Sequence, residues 1–312
     1  MIEFPKPHLE KLNATIGNEK IPAGDRDRIE AAIVRYDQWM SDMDIIIEKA
    51  GKFKDIESGS KFISEMTALL RAYKFYIDME LIFDSPDDFL YRQKGQLKID
   101  NSIIEEFFPR LVFCFLPEEI ESKVVLGPHG CFSSMFFTGN LGQISQNVQL
   151  QIRTKDQDFT IGREVNLRAS FDANFANSIE EKTYLAYVAS EMKTNLDKTM
   201  FQEACATAHD VKTAVAGAKY YLICEWLDMT PISTAGTDID EVLILRGKRL
   251  SSNIRQYYSN YDQRRQRRVT YVTFLDTHPF RETIFKRFIG HIMGVLRNEN
   301  PIENDVIERG YF

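Results

Sequence analysis

Y-L-A-Y-V-A-S-E-M-K-T-N-L-D-K-T-M-F-Q-E-A-C-A-T-A-H-D, Tyr184 to Asp210, decides how this chain is read. Its first half is an apolar run of strand length. Its second half opens a helical pattern, with Phe201, Ala204, Cys205, Ala208 and Val211 at three- and four-residue intervals. Between them the strand closes on Glu191 and Lys193, which period-two geometry turns to one face. Two charges on a shared face are costly when buried without partners. A divalent metal for the carboxylate and a phosphate for the lysine would satisfy both.

Acid-x-lysine triplets are weak signals, and the chain has four: Glu121 to Lys123, Glu180 to Lys182, Glu191 to Lys193 and Asp210 to Lys212. Only the third closes an apolar strand. A metal site there needs a second carboxylate, and Asp156, Asp158 and Asp172 are the upstream candidates. Phe159–Ala169 and Thr183–Lys193 both read as eleven-residue strands. Paired as an antiparallel hairpin, they bring Asp158 beside Glu191 and Lys193, with Asp156 as a neighbour. Asp172 falls at the far end, roughly 30 Å away at about 3.4 Å per residue. From geometry alone, a salt-bridged strand end and a metal site remain equal readings of Asp158, Glu191 and Lys193.

Outward from this stretch, apolar runs alternate with turns from about Ile103 to the end. They are L-V-F-C-F-L, C-F-S-S-M-F-F, V-Q-L-Q-I-R, F-T-I-G-R-E-V-N-L-R-A, Y-L-A-Y-V-A, Y-Y-L-I-C and V-L-I-L. Helical patterns lie at Thr199–Val215 and Phe280–Leu296, and T-N-L-D before the first reads as a turn with capping residues. The sum is an α/β or α+β layered domain over residues 96–312, of which α/β is the fold class taken. Residues 1–95 read as a helical region: Ile29, Ile33, Tyr36, Met40, Met43 and Ile47 mark one long helix, and Phe62, Met66, Leu69, Leu70, Tyr73, Ile77 and Leu81 a second. Its role is open, with DNA clamping and dimerisation both in keeping.

Composition bounds the rest. With 44% apolar and 27% charged residues the chain matches an ordinary soluble globular protein. No apolar run is long enough to span a membrane, and M-I-E-F-P-K-P lacks a secretory leader's features. Four cysteines without metal-ligand spacing suit reduced thiols in the cytoplasm. The net charge of −7 hides a segment from Arg246 to Arg268 with eight basic residues against Asp262, hence +7 locally and −14 elsewhere. By itself that segment reads as a solvated loop or as a phosphate-holding stripe.

K-D-Q-D-F-T-I-G-R, E-M-K-T-N-L-D-K-T-M-F-Q-E-A-C-A-T-A-H-D-V-K, A-K-Y-Y-L-I-C-E-W-L-D-M-T-P and I-D-E-V-L-I-L-R-G-K-R-L-S-S-N-I-R, spread over Lys155 to Arg255, make this chain resemble the PD-(D/E)XK nucleases. Within that superfamily it is similar to the Bpu-type family of type II restriction endonucleases. It departs from the superfamily's name in carrying Gln157 where proline stands, and the interval from Asp158 to Glu191 is long. The resemblance implies a mixed sheet flanked by helices and Mg²⁺-dependent, sequence-specific hydrolysis of double-stranded DNA that leaves 5′-phosphates. It implies that Asp158, Glu191 and the Met192 carbonyl ligate Mg²⁺, and that Lys193 serves the attacking water and the transition state. Gln202 would flank the site or be a plain surface glutamine. Arg246, Lys248, Arg249, Asn253 and Arg255 would contact DNA. His209 reads as structural, and Glu225 and Asp228 as turn caps or a second ion site. One site per chain suggests a homodimer on DNA, with a second, non-identical subunit as the alternative. A structure-specific repair nuclease and a non-catalytic nucleic-acid-binding protein are the competing functions.

Overall fold

Five strands make one mixed sheet, and its topology places the site. The computed structural model describes residues 4–139, 141–143, 148–296, 307–308 and 310. The M-I-E of the N-terminal segment and residues 297–306 of the C-terminal region lie outside the described residues. The strands are β1 (Val125–Phe137), β2 (Leu150–Ser170), β3 (Ser178–Leu196), β4 (Lys219–Leu227) and β5 (Glu241–Lys248). They lie in the order β1-β2-β3-β4-β5. The pairings β1–β2 and β2–β3 are antiparallel, whereas β3–β4 and β4–β5 are parallel.

A parallel pair needs a crossover, and α7 (Lys198–Ala214) supplies it between β3 and β4. Asp197 caps that helix by accepting from the Met200 N–H at 2.9 Å. Phe201, Ala204, Ala208 and Val211 pack onto a sheet face built by Cys131, Ala189, Leu222 and Cys224. Small alanines here let the helix approach the sheet closely. The opposite face carries Phe159, Ile161, Val188, Met192, Tyr221 and Ile223. It is covered by α5 (Ser102–Phe113), α11 (Glu282–Leu296) and the N-terminal helices.

Those helices are α1 (Pro7–Ile16), α2 (Ala23–Ala50) and α3 (Ser60–Phe75), the last running straight into a π-helical stretch Tyr76–Phe83. After α4 (Phe89–Leu97) comes α5, and a single turn, α6 (Glu118–Glu121), precedes the sheet. One buried cluster crosses residue 95, joining Leu12, Ile29 and Leu70 to Phe108, Phe159 and Phe288. The basic segment folds as three short helices, α8 (Ser252–Arg255), α9 (Tyr261–Gln266) and α10 (Arg268–Thr277).

Three local expectations are corrected. L-V-F-C-F-L is not a strand: Leu111 to Phe113 end α5, in which nearly every side chain is buried. The polar residues of this helix, Ser102, Glu105, Glu106 and Arg110, all precede the run, so its last turn taken alone imitates a buried strand. V-Q-L-Q-I-R and F-T-I-G-R-E-V-N-L-R-A are not separate strands, because the intervening polar K-D-Q-D remains paired with β1 through Lys155–Cys131, Asp156–Gly130 and Gln157–His129. Nor do Thr194 to Leu196 turn; they continue β3 alongside Trp226 and Leu227 of β4.

Candidate active site

The β2–β3 hairpin delivers Asp158. Its pairing runs from Ser170–Ser178 to Phe159–Ser190 and then stops. Beyond it β2 continues only with β1, and β3 only with β4, so the sheet forks. A bulge between Ile161 and Gly162 sets the register just before the fork. Glycine is required there, since a Cβ on Gly162 would come within 2.6 Å of the Leu185 carbonyl oxygen. Asp158 follows the last pair and accepts from the Met192 N–H at 2.7 Å, which fills the gap with a charge-assisted hydrogen bond. Asp172 is at the other end, in the hairpin loop, where its carboxylate accepts from the Asn177 backbone and side chain. Asp156 is exposed one pleat away from Asp158.

Glu191 and Lys193 sit on the α7 face of the fork. Glu191 Oε1 lies 2.7 Å from Lys193 Nζ, and its Oε2 accepts from the Tyr220 hydroxyl at 3.3 Å. Both side chains stay open to solvent, at 19% and 30% exposure, so a ligand can reach them. Burial would lower the Lys193 ammonium, but the Glu191 contact and the Asp158 charge outweigh it and hold the pKa above the ordinary lysine value. The lysine is therefore a fixed cation at neutral pH. Asp158 goes the other way: burial pushes its carboxyl up, and the Met192 hydrogen bond and Lys193 only partly offset that.

Helix α5 adds two groups that the periodicity did not reveal. Asn101, at its N-cap, donates to the Met192 carbonyl at 3.2 Å and to Glu105 Oε1 at 2.7 Å. The Thr194 hydroxyl donates to Asn101 Oδ1 at 3.3 Å, which fixes the amide's orientation. Burial and the Asp158 charge together push Glu105 up to about 7. The sequence did hold a signal, because Ile103, Ile104, Phe107, Phe108, Leu111 and Val112 recur at helical spacing. Reading that helix would have put Glu105 on the turn after Asn101.

Gln202 is exposed on the first turn of α7, and the neighbouring Glu203 is the one whose charge reaches Lys193. His209 pairs with Asp238 at 2.7 Å on the surface. Lys248 and Asn253 are exposed. Arg249 and Arg255 share Asp228 Oδ2, at 2.7 and 3.3 Å. Arg246 departs from the expectation of a phosphate contact. It is 8% exposed, donates to the carbonyls of His278 and Leu275, and stacks over Trp226 and Phe280. Its charge is taken by Glu225, 3.0 Å away. Glu225 therefore neither caps a turn nor holds an ion: it is a buried strand residue clasped by Arg246 and by Lys74 at 3.0 Å. Lys74 in turn holds Asp78 at 2.6 Å.

The site's donor set can be tested for a cation. Among the described residues no three acidic, histidine or cysteine side chains form a metal cage by themselves. The fork instead offers two carboxylates, Asp158 and Glu191, and the Met192 carbonyl, which accepts from Asn101. Glu105 is nearby, and burial keeps both it and Asp158 raised despite the charges of Lys193 and Lys98. An incomplete, all-oxygen shell of this kind suits Mg²⁺, which keeps positions for water and phosphate oxygens.

No helix among the described residues is long and apolar enough to cross a membrane. No curated protein matches the chain. A solved structure described as the native BbvCI A2B2 tetramer at low resolution shares the fold, with TM-score 0.59 and 19% identity over 96% of this chain and 100% of that one. The family model for Bpu10I restriction endonuclease matches residues 96–312, a span holding the whole sheet, the fork and the helix α5 beneath it. The chain belongs to the Bpu10I restriction endonuclease family.

Proposed function

We propose that this chain is a Mg²⁺-dependent type II restriction endonuclease of the PD-(D/E)XK kind. It hydrolyses phosphodiester bonds in double-stranded DNA at a defined sequence and leaves 5′-phosphate ends. The observation that carries this is the meeting of Asp158, Glu191 and Lys193 where β2 parts from β3. Asp158, Glu191 and the Met192 carbonyl would hold the ion, which when bound polarises the scissile phosphate and acidifies water. Lys193, fixed by Glu191, orients the attacking water and balances charge on the phosphoryl oxygens as the bond breaks. Asn101 holds the Met192 carbonyl while Asp158 holds the Met192 N–H, so the two peptide planes flanking Met192 keep their orientation. Gln202 lies on the rim. Lys248, Arg249, Asn253 and Arg255 form the DNA-facing set.

One such site cuts one strand, and a duplex has two of opposite polarity, so two sites must converge. We place them in a homodimer, since two-fold dimers are the commonest assemblies. Digesting a mixed DNA library with Mg²⁺ and sequencing the ends tests the reading. Discrete 5′-phosphorylated ends at one sequence are expected, and cleavage everywhere or at branched structures only would overturn it. Wild type refolded with excess Lys193→Ala should accumulate nicked plasmid, whereas complete double-strand cutting by a monomer would rule the dimer out.

A further inference from the structure

Where β3 ends, a cavity of about 70 Å³ opens beside Thr194 and Asn195. Its walls include Lys94, Tyr91, Tyr258, Arg249 and Arg255. Lys94 Nζ has no hydrogen-bond or ion-pair partner among the described residues and only a ring contact, 4.8 Å from the centre of Tyr91. Burial pushes its pKa down, and the nearby Asp100 charge does not restore it. The charges leave a remainder. Lys74 and Arg246 are balanced by Asp78 and Glu225. Lys94 faces Asp100, but Arg249 and Arg255 share the single carboxylate of Asp228. One positive charge is left over, the complement of one phosphodiester.

We propose that this cavity is a phosphate subsite, in which Lys94, Arg249 and Arg255 grip a backbone phosphate of the DNA about two nucleotides from the scissile one. Two strand residues separate Asn195 from Lys193, an advance of about 7 Å. That equals the axial rise of about two nucleotides of one DNA strand. The subsite rests on the nuclease reading above and extends it to α4, a helix of the N-terminal region. A half-buried ammonium without a partner is costly to keep, which is in character for a group whose partner is a ligand.

The test uses the full chain and Lys94→Met, with Lys94→Arg as the charge-preserving control. DNA affinity is measured with Ca²⁺ in place of Mg²⁺ across a salt series, and inorganic phosphate binding by ³¹P line broadening. Lys94→Met should flatten the plot of log affinity against log salt by about 0.9, one phosphate's share. It should also abolish the broadening and melt no lower than wild type, and Lys94→Arg should restore the slope. Cleavage retained by a Lys94→Met protein with a wild-type slope would overturn the subsite and leave the nuclease reading standing. Phosphate bound through Lys94 by a chain with no affinity for any DNA would overturn both, identifying a site for free phosphate.

Discussion

Glu191 on β3 and Glu225 on the adjoining β4 are both strand glutamates with a cation within 3.0 Å, yet they do opposite work. They lie on opposite faces of the sheet, since Glu191 shares its face with Leu222 and Cys224 whereas Glu225 follows Tyr221 and Ile223. Glu225 is fully buried and faces two cations, Lys74 and Arg246, and Arg246 spends its other donors on two carbonyls. Burial would raise its carboxyl, but the two positive charges outweigh that and hold it low. At the fork the balance is reversed. Lys193 serves Glu191, Asp158 and, through space, Glu203, while burial pushes Asp158 and Glu105 up further than Lys193, Lys98 and Lys11 offset. Charges that saturate one another build structure. Charges left short of partners, with a path to solvent, are poised for a ligand.

The largest expected effect breaks the open side of that comparison. Glu191→Ala, Lys193→Ala and Asp158→Asn should each lower cleavage by on the order of 10²–10³-fold or more. Urea unfolding should show stability unchanged within about 1 kcal/mol, because none of the three is fully buried. Asp172→Asn should cut normally, since it only orders the hairpin loop. A Glu191→Ala protein with wild-type rates would remove the fork from the chemistry.

The closed side should fail differently. Glu225→Ala strands Lys74 and Arg246 in the interior, and breaking such a buried pair costs about 3–5 kcal/mol. The expected result is a large fall in the urea midpoint, with cleavage per folded molecule retained. Glu225→Ala matching wild-type stability would mean that its cations find other partners and that saturation is not what holds this cluster.

Much of the open site could be read from the chain. Glu191 and Lys193 declare themselves by sharing a face at the end of an apolar run, and hairpin arithmetic separates Asp158 from Asp172. The long N-terminal helices and most of the strands follow from period, whereas the mixed sheet is implied only by the family resemblance. The closed cluster could not be read. Arg246 and Lys248 look alike along β5, and Arg246 is distinguished only by Glu225, Asp78, Trp226 and the carbonyls of residues about thirty positions later. Such partners are tertiary facts with no local signature. Asn101 and Glu105 were hidden for another reason. Their helix does show apolar residues at helical spacing, but its polar side is buried as well, and nothing local in the sequence says that this side meets the fork.

A smaller effect comes from a closed group that is neutral. His8 is fully buried, with its ring nitrogens 3.0 Å from the Ser102 hydroxyl and 2.9 Å from that of Tyr73. Burial, and then the Lys74 charge, depress its pKa from 6.5 to about 3. The folded pKa lies below the unfolded one, so this contribution is complete above about pH 6.5 and is lost as pH falls toward 3. Between pH 6.5 and about pH 5 the loss is about 2 kcal/mol at 1.36 kcal/mol per unit. His8→Gln should remove that dependence. Urea titrations at pH 7 and pH 5 check it through the difference between variant and wild type, since the buried carboxyls titrate alike in both. An equal loss of stability in the two proteins would mean that His8 is protonated in the fold.

The smallest effect sharpens the comparison within one strand. Lys248 lies two residues beyond Arg246 on β5, carries the same charge and is exposed, with no ion-pair partner among the described residues. Arg246→Ala should therefore behave like Glu225→Ala and be read in the unfolding curve. Lys248→Ala should leave that curve within about 0.5 kcal/mol of wild type. Its effect belongs to the DNA: removing the cation from a single phosphate flattens the salt dependence by about 0.9. Between 50 and 200 mM salt that amounts to about a threefold difference, the same for every DNA sequence, because a phosphate carries no base information. Fluorescence anisotropy with cognate and scrambled duplexes in Ca²⁺ measures both. A weakening confined to the cognate duplex would show that Lys248 reads a base edge, and an unchanged slope on both would leave it facing solvent. Either result keeps the contrast with Arg246, because it is the partners already in place, and not the charge, that separate the two residues.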